Sequence, residues 1–323
     1  MNQEPTPTQP RNHSTTQPLV SVIMNCYNGE KYLRAAIDSV YAQTYRNWEI
    51  IFWDNKSTDK SPEIAKGYDD RIKYLRGEKN VKLYHARNLA ISKATGEYVA
   101  FLDCDDMWLP DKLKRQVDIF EQIPETMFVF SNCFILNEVD QTTRVFLEKS
   151  ESGYSSFEDN LYRYKVRILT AIVRRETISG LIEIFDERLN YAGDYDCFMR
   201  IIFNNLAYYI SEPLAVRRSH DEAYSARIAR SENITEILYV LDKLNNNIPD
   251  VKKKYFDAFR SIQKEMIYKK AYAYFMDGTA VKIRKEIRKY KYANLKFLAL
   301  YLLYCIPYYL WILLKKVYKK VNA

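Results

Sequence analysis

Asp103, Asp105 and Asp106 fall within four positions at the end of the apolar run Tyr98–Leu102. That run has the length and composition of a buried strand. Folding alone asks for no such set of carboxylates at the mouth of a strand. Their repulsion has to be offset by positive charge, and a divalent cation is the natural candidate. Open α/β sheets also place ligands just beyond the carboxyl ends of their strands. The bland alternative is an exposed acidic turn.

The elements that must position this cluster can be read outward from it. Leu19–Met24 reads as a buried strand, with Asn25-Cys26-Tyr27-Asn28-Gly29 as its turn. From Glu30, the residues Tyr32, Leu33, Ala36, Ile37 and Val40 recur at helical spacing. Trp48–Trp53 is a second apolar strand, ending in Asp54-Asn55-Lys56-Ser57-Thr58-Asp59. Ser61-Pro62-Glu63 has the order of a cap and a helix start. Arg71–Leu75 reads as a third strand, and Ala86–Ala94 as a helix that Gly96 is placed to end. Strands and helices in alternation predict an α/β chain with a parallel sheet flanked by helices. Neither GxGxxG nor GxxxxGK[ST] occurs. A nucleotide must then be held without a glycine loop, for instance through a cation bridging its phosphates to the Asp cluster.

The blocks VSVIMNCYNGEKYL, EIIFWDNKSTD and ARNLAISKATGEYVAFLDCDDMWLPDKL resemble the nucleotide-sugar half of family 2 glycosyltransferases, from about Val20 to about His220. The resemblance implies the GT-A fold, a Rossmann-like, mostly parallel sheet flanked by helices. It also implies inverting transfer of a sugar from a UDP- or dTDP-linked donor to a hydroxyl of a polysaccharide or lipid-linked oligosaccharide. By resemblance, Asp103-Cys104-Asp105 is the signature that holds Mg2+ or Mn2+ on the donor diphosphate. Asp105 would coordinate the cation, with Asp103 nearer the ribose or a metal-bound water. The departing diphosphate gains negative charge, which a Lewis acid stabilises, and hard cations select oxygen ligands.

Asn25, Tyr27, Asn28, Glu30, Asp54 and Asn55 would line the donor pocket, Tyr27 packing on the base and Asp54 accepting from its imide N–H. Asn55-Lys56 stands where the family more often has Asp-Gly, and Asn25-Cys26 where Pro-Thr is frequent. Arg87 would reach the phosphates or orient an acidic partner, and His220 would close the donor site. Inversion needs a carboxylate to deprotonate the acceptor. The segment Asn190–Arg200 resembles the family's ED-containing block, with Asp194 in the base's place and Asp196 as second choice. Gly193 stands where Glu is common. A carboxylate at a helix start is also favourable simply as a cap.

The chain has 323 residues, a net charge of +8 and a pI near 9.0. Residues 281–323 carry eleven Lys/Arg against one Glu, so the remainder is close to neutral, which argues against a nucleic-acid partner. The five cysteines are scattered without a CxxC pair, so neither a disulfide framework nor a zinc site is expected, and a reducing cytosol fits best. The expected organisation is a disordered tail over 1–18, a transferase domain over 19–225, a helical extension over 226–296 and a basic-aromatic segment over 297–323. Phe297–Leu314 has eighteen residues without a charge, interrupted by Pro307. As a helix it would be about 27 Å long, short of a ~30 Å hydrocarbon core. Its aromatics and flanking lysines predict a peripheral or monotopic position on anionic lipid at the inner face of the cell membrane. A true span and a buried helix or dimer contact are the alternatives. Two rivals to catalysis are a binding module for nucleotide-sugar or glycan and a membrane scaffold.

Overall fold

The computed structural model describes residues 17–221, 230–248, 251–277, 287–289 and 295–305. The expected tail therefore lies almost wholly outside the described residues, as does the part of Phe297–Leu314 beyond Cys305. The chain divides into two compact units.

The first unit comprises the residues up to Ser156, Lys165–Glu187 and Ile201–His220. Its centre is β1 (Val20–Cys26), every residue of which is buried. On one side lie β2 (Trp48–Asp54) and β3 (Ile72–Arg76), on the other β4 (Tyr98–Phe101), all parallel. The helices between them are α1 (Glu30–Tyr41), α2 (Ser61–Lys66) and α3 (Leu83–Ile91). α1 buries Leu33, Ala36, Ile37 and Val40, the stripe its spacing predicts.

Beyond β4 the sheet is mixed. The next elements are β5 (Met107–Trp108), α4 (Lys112–Gln122), β6 (Thr126–Asn137), β7 (Thr142–Val145), β8 (Gly153–Tyr154), β9 (Ile172–Arg174) and β10 (Leu206–Ser219). The strand order is β3-β2-β1-β4-β9-β6-β10-β5, with β7 on β6 and β8 on β10. Short β9 runs antiparallel to both β4 and β6, so the all-parallel pattern ends there. β10 is parallel to β6 and antiparallel to β5, which brings its last residues back to the turn after β4.

Two details of the expected elements shift. α3 ends at Ile91, and Gly96 is not its terminator. A Cβ on Gly96 would stand 2.5 Å from the Leu19 carbonyl and 2.7 Å from the Ser21 nitrogen, so glycine is required for close passage past β1. At α2, Lys60 is the cap and Ser61 is already helical; the Ser61 hydroxyl instead accepts the Gly29 N–H at 3.0 Å.

The sheet is closed at its amino end by Glu49. Its carboxylate accepts from Ser21 Oγ at 2.6 Å and Thr95 Oγ1 at 2.7 Å, and Lys73 pairs with it. Apolar packing carries the rest. Tyr98 stacks on Phe120 with ring centroids 4.5 Å apart, and fully burying such a side chain contributes about 1.5–3 kcal/mol.

The second unit comprises Phe157–Tyr164, Arg188–Arg200 and the residues after His220. It contains α5 (Phe157–Tyr162), the start of α7 (Gly193–Asn204), α8 (Arg230–Asn247), α9 (Val251–Lys254), α10 (Phe256–Asp277) and the helix Leu295–Cys305. The remaining helix, α6 (Arg175–Ser179), belongs to the first unit. Phe157 sets its ring 5.1 Å from Tyr255 and 6.4 Å from Phe259. The segment bearing Asp194 groups with the carboxyl-terminal helices. No helix of the described residues is long and apolar enough to cross a membrane.

Candidate active site

The carboxyl ends of β1 and β4 are neighbours. Their register sets Val20 opposite Tyr98 and Ile23 opposite Phe101. β4 ends at Phe101, and the Leu102 N–H still donates to the Ile23 carbonyl at 3.0 Å, so the acidic turn starts beside the end of β1. Two parts of the sequence thereby meet in one acidic corner.

Asp103 accepts from Arg87 Nη2 at 2.7 Å. The arginine is buried on α3, its guanidinium 5.6 Å from the Tyr84 ring and 5.5 Å from the Phe185 ring. Of its two expected roles, the geometry places it on an acidic partner. Asp105 Oδ2 lies 3.2 Å from His220 Nε2, and the imidazole packs on Tyr32 with centroids 4.7 Å apart. Asp106 is buried and accepts the Arg218 N–H at 2.8 Å. The Arg218 side chain pairs with Glu138 and lies 5.1 Å from the Tyr32 ring centroid.

The corner holds more negative charge than its partners offset. Burial, then the Asp103 charge, push the Asp105 carboxyl above its ordinary range, and His220 only partly opposes them. Asp106 is raised further, by burial first and then by Asp105 and Asp103. Beside these carboxylates stand polar groups with no partner among the described residues: both amide atoms of Asn25, the Tyr32 hydroxyl and His220 Nδ1. Two partly exposed carboxylates with unused oxygen lone pairs, ringed by orphaned polar atoms, suit a hard divalent cation with a polar ligand.

The remaining candidate residues sort by whether they have bonding capacity left. Tyr27 is 54% exposed and presents an open ring. Asn28, with φ of 53°, accepts the Thr58 N–H at 2.8 Å and donates its own N–H to Ser57 Oγ. Glu30 accepts the Lys60 N–H at 2.9 Å while its own N–H goes to Asp59. These two residues tie the turns after β1 and β2 together. Asn55 pairs with the backbone of Val81 through both its amide oxygen and nitrogen, so it pins a loop. Asp54 is fully buried, accepting from Ser57 N–H at 2.7 Å, Tyr74 OH at 2.6 Å and Arg76 Nη1 at 2.9 Å.

Gly29 has a further reason to be glycine. A Cβ there would meet Cys104 Sγ at 2.8 Å and Cys26 Sγ at 2.9 Å. The Cys104 thiol, with help from Ser61 and the Gly29 N–H, holds the Cys26 thiol below its ordinary value against the effect of burial. The cysteines that look scattered in the sequence therefore include a contacting pair.

In the second unit, Asp194 lies in the first turn of α7 and accepts the Tyr195 N–H at 2.9 Å. Just before it, Glu236 of α8 gathers the N–H groups of Asn190, Tyr191 and Ala192 at 2.8–3.0 Å. A carboxylate at the positive end of a helix is favourable, and this one fixes the approach to Asp194. Asp196 is fully buried between Arg200 at 2.8 Å and Lys243 at 2.9 Å. Its Oδ2 is thus taken up by two cationic partners. Glu236, Tyr32 and Arg218 were missed from sequence, since each acts through a long-range contact that no local pattern announces.

The fold is that of the GT-A glycosyltransferases. It superposes on Staphylococcus aureus TarS 1–349 in complex with UDP-GlcNAc with a TM-score of 0.65, at 19% identity, covering 88% of this chain and 90% of that one. Against the mannosyltransferase PcManGT from Pyrobaculum calidifontis, in complex with GDP-Man and Mn2+, the TM-score is 0.59 at 18% identity, covering 97% and 91%. The profile described as Glycosyl transferase family 2 matches residues 21–174. An uncharacterized glycosyltransferase of Methanocaldococcus jannaschii is 32% identical over 226 residues, which are 67% of this chain and 76% of that protein. One from Rickettsia typhi is 32% identical over 215 residues, 64% of this chain and 66% of its own length. TuaG of Bacillus subtilis, named for teichuronic acid biosynthesis, is 35% identical over 163 residues, covering 50% and 64%. The chain belongs to glycosyltransferase family 2.

Proposed function

We propose that this chain is a metal-dependent, inverting glycosyltransferase that moves a sugar from a nucleoside-diphosphate donor to a hydroxyl of a cell-surface polysaccharide or lipid-linked oligosaccharide. The observation that carries the reading is the acidic turn after β4: Asp105, whose charge His220 only partly offsets, follows Asp103 at the sheet end that also bears the orphaned amide of Asn25 and the open ring of Tyr27. Asp105 and Asp103 would hold Mg2+ or Mn2+, which would supply Lewis-acid stabilisation of the leaving diphosphate. Tyr27 offers a flat face to a pyrimidine base, and Asn25 both a donor and an acceptor. His220 closes the corner over Asp105. Asp194 takes the proton of the acceptor hydroxyl as it attacks the anomeric carbon from the side opposite the leaving group.

The Mn2+ and nucleotide-sugar complexes of the structural neighbours, and the teichuronic acid relative, support this reading. The net positive charge of residues 281–323 supports a peripheral position on anionic lipid at the cytoplasmic face of the membrane. The test is a panel of UDP-, dTDP- and GDP-sugars assayed for hydrolysis and transfer with Mn2+, Mg2+ or chelator. Turnover of one donor, abolished by chelation and by Asp194→Asn in the transfer assay, is expected. Donor binding that Asp194→Asn leaves intact, with no turnover of any donor, would instead identify a binding module.

A further inference from the structure

Cys26, at the end of β1, and Cys104, in the turn after β4, are in side-chain contact. Both sulfurs crowd the bare α-carbon of Gly29. Cys26 is buried at 2% exposure, whereas Cys104 is partly open to solvent. Cys104 also stands between Asp103 and Asp105, so whatever binds its sulfur moves both carboxylates.

We propose that Cys26 and Cys104 form a reversible disulfide that disables the Asp103–Asp105 corner. The oxidant is a low-molecular-weight disulfide. The sulfur of Cys104, the more accessible residue of the pair, attacks one of its sulfurs, breaking that S–S bond and releasing one small thiol. The Cys26 sulfur then attacks Cys104 in the mixed disulfide and displaces the second small thiol. Two protein thiols each lose a hydrogen, and the small disulfide leaves as two thiols, so atoms and electrons balance. The new bond draws Cys104 toward the end of β1 and turns the flanking carboxylates away from the positions in which Arg87 and His220 now hold them. Cys133 and Cys197 are fully buried and offer no entry for the reagent.

The effect on turnover rests on the donor-site reading above; the bond itself does not. The experiment incubates the full chain with oxidised glutathione, alkylates free thiols and maps the peptides. A Cys26–Cys104 cross-link, lighter by two hydrogens and reversed by dithiothreitol, is expected, with donor turnover falling as the cross-link accumulates. Cys26→Ser should stop at a glutathione adduct on Cys104. Glutathione adducts in the wild type that never resolve to the cross-link overturn the proposal, and so does a cross-linked protein with undiminished turnover. A reduced protein that turns over no donor counts against the transferase reading, while the peptide map still decides the bond.

Discussion

His220 Nε2 sits 3.2 Å from Asp105 Oδ2, with the other imidazole nitrogen buried and unpartnered among the described residues. The strand that delivers this histidine, β10, ends well over a hundred residues beyond the aspartate it meets. If Asp105 holds the cation as proposed, removing the group that orients it changes metal affinity or activity about 10–100-fold. His220→Ala is therefore expected to raise the Mn2+ concentration for half-maximal turnover by that factor. An unchanged metal titration would place the histidine in a purely structural role.

Asp105 has opposite consequences for stability and activity. Burial and the Asp103 charge disfavour its ionised form, so a neutral side chain relieves the folded state at pH 7. Asp105→Asn should gain about 0.5–2 kcal/mol in denaturant unfolding without metal, while losing at least ~100-fold in turnover. Loss of both together would mean that the carboxylate supports the fold.

Glu49 provides the pH test. Burial raises its carboxyl, but Lys73, Ser21 and Thr95 outweigh that and leave it below its ordinary value of 4.5. A folded-state pKa below the unfolded one contributes stability that is present above pH 4.5 and lost as pH falls through the lowered value. Half-exposed Lys73 adds little in water, so the hydroxyl and amide partners dominate. Glu49→Gln should cost about 1–3 kcal/mol at neutral pH, with the gap to wild type closing below pH 4.5. Equal gaps in urea unfolding at pH 7 and in acid would contradict this origin.

Glu236 holds three backbone N–H groups ahead of Asp194. If that grip positions the base, Glu236→Ala should lower kcat about 10–100-fold with little change in the donor KM. A conservative Glu236→Asp change should recover part of it. A fall in melting temperature with kcat intact would assign the contact to folding alone.

The first four strands and the Asp103–Asp105 corner were legible because both leave local signals, an apolar run and a charge cluster. What the sequence concealed is long-range. Asn28, Glu30, Asp54 and Asn55 are polar residues at strand ends, and polarity alone cannot tell a ligand contact from a loop tie. The ion pair of Asp196 with Lys243, from another helix, leaves no mark in the local sequence. Gly96 matched a helix stop, yet its constraint comes from the Leu19 carbonyl across the sheet. Cys26 and Cys104 had no spacing to announce them. Only the folding of the turn after β4 against the end of β1 makes them a pair.

The cross-ties between the turns after β1 and β2 have a thermodynamic consequence. Ser57, Thr58, Asp59, Lys60 and Ser61 each bond to Asn28, Gly29 or Glu30. Those loops lose their conformational entropy when the chain folds, not when a ligand arrives. Binding against them should therefore carry a small ordering penalty, seen in calorimetry as a favourable heat with little opposing entropy. The side chain of Tyr27 stands outside these ties, and it is there that the ordering cost of binding remains.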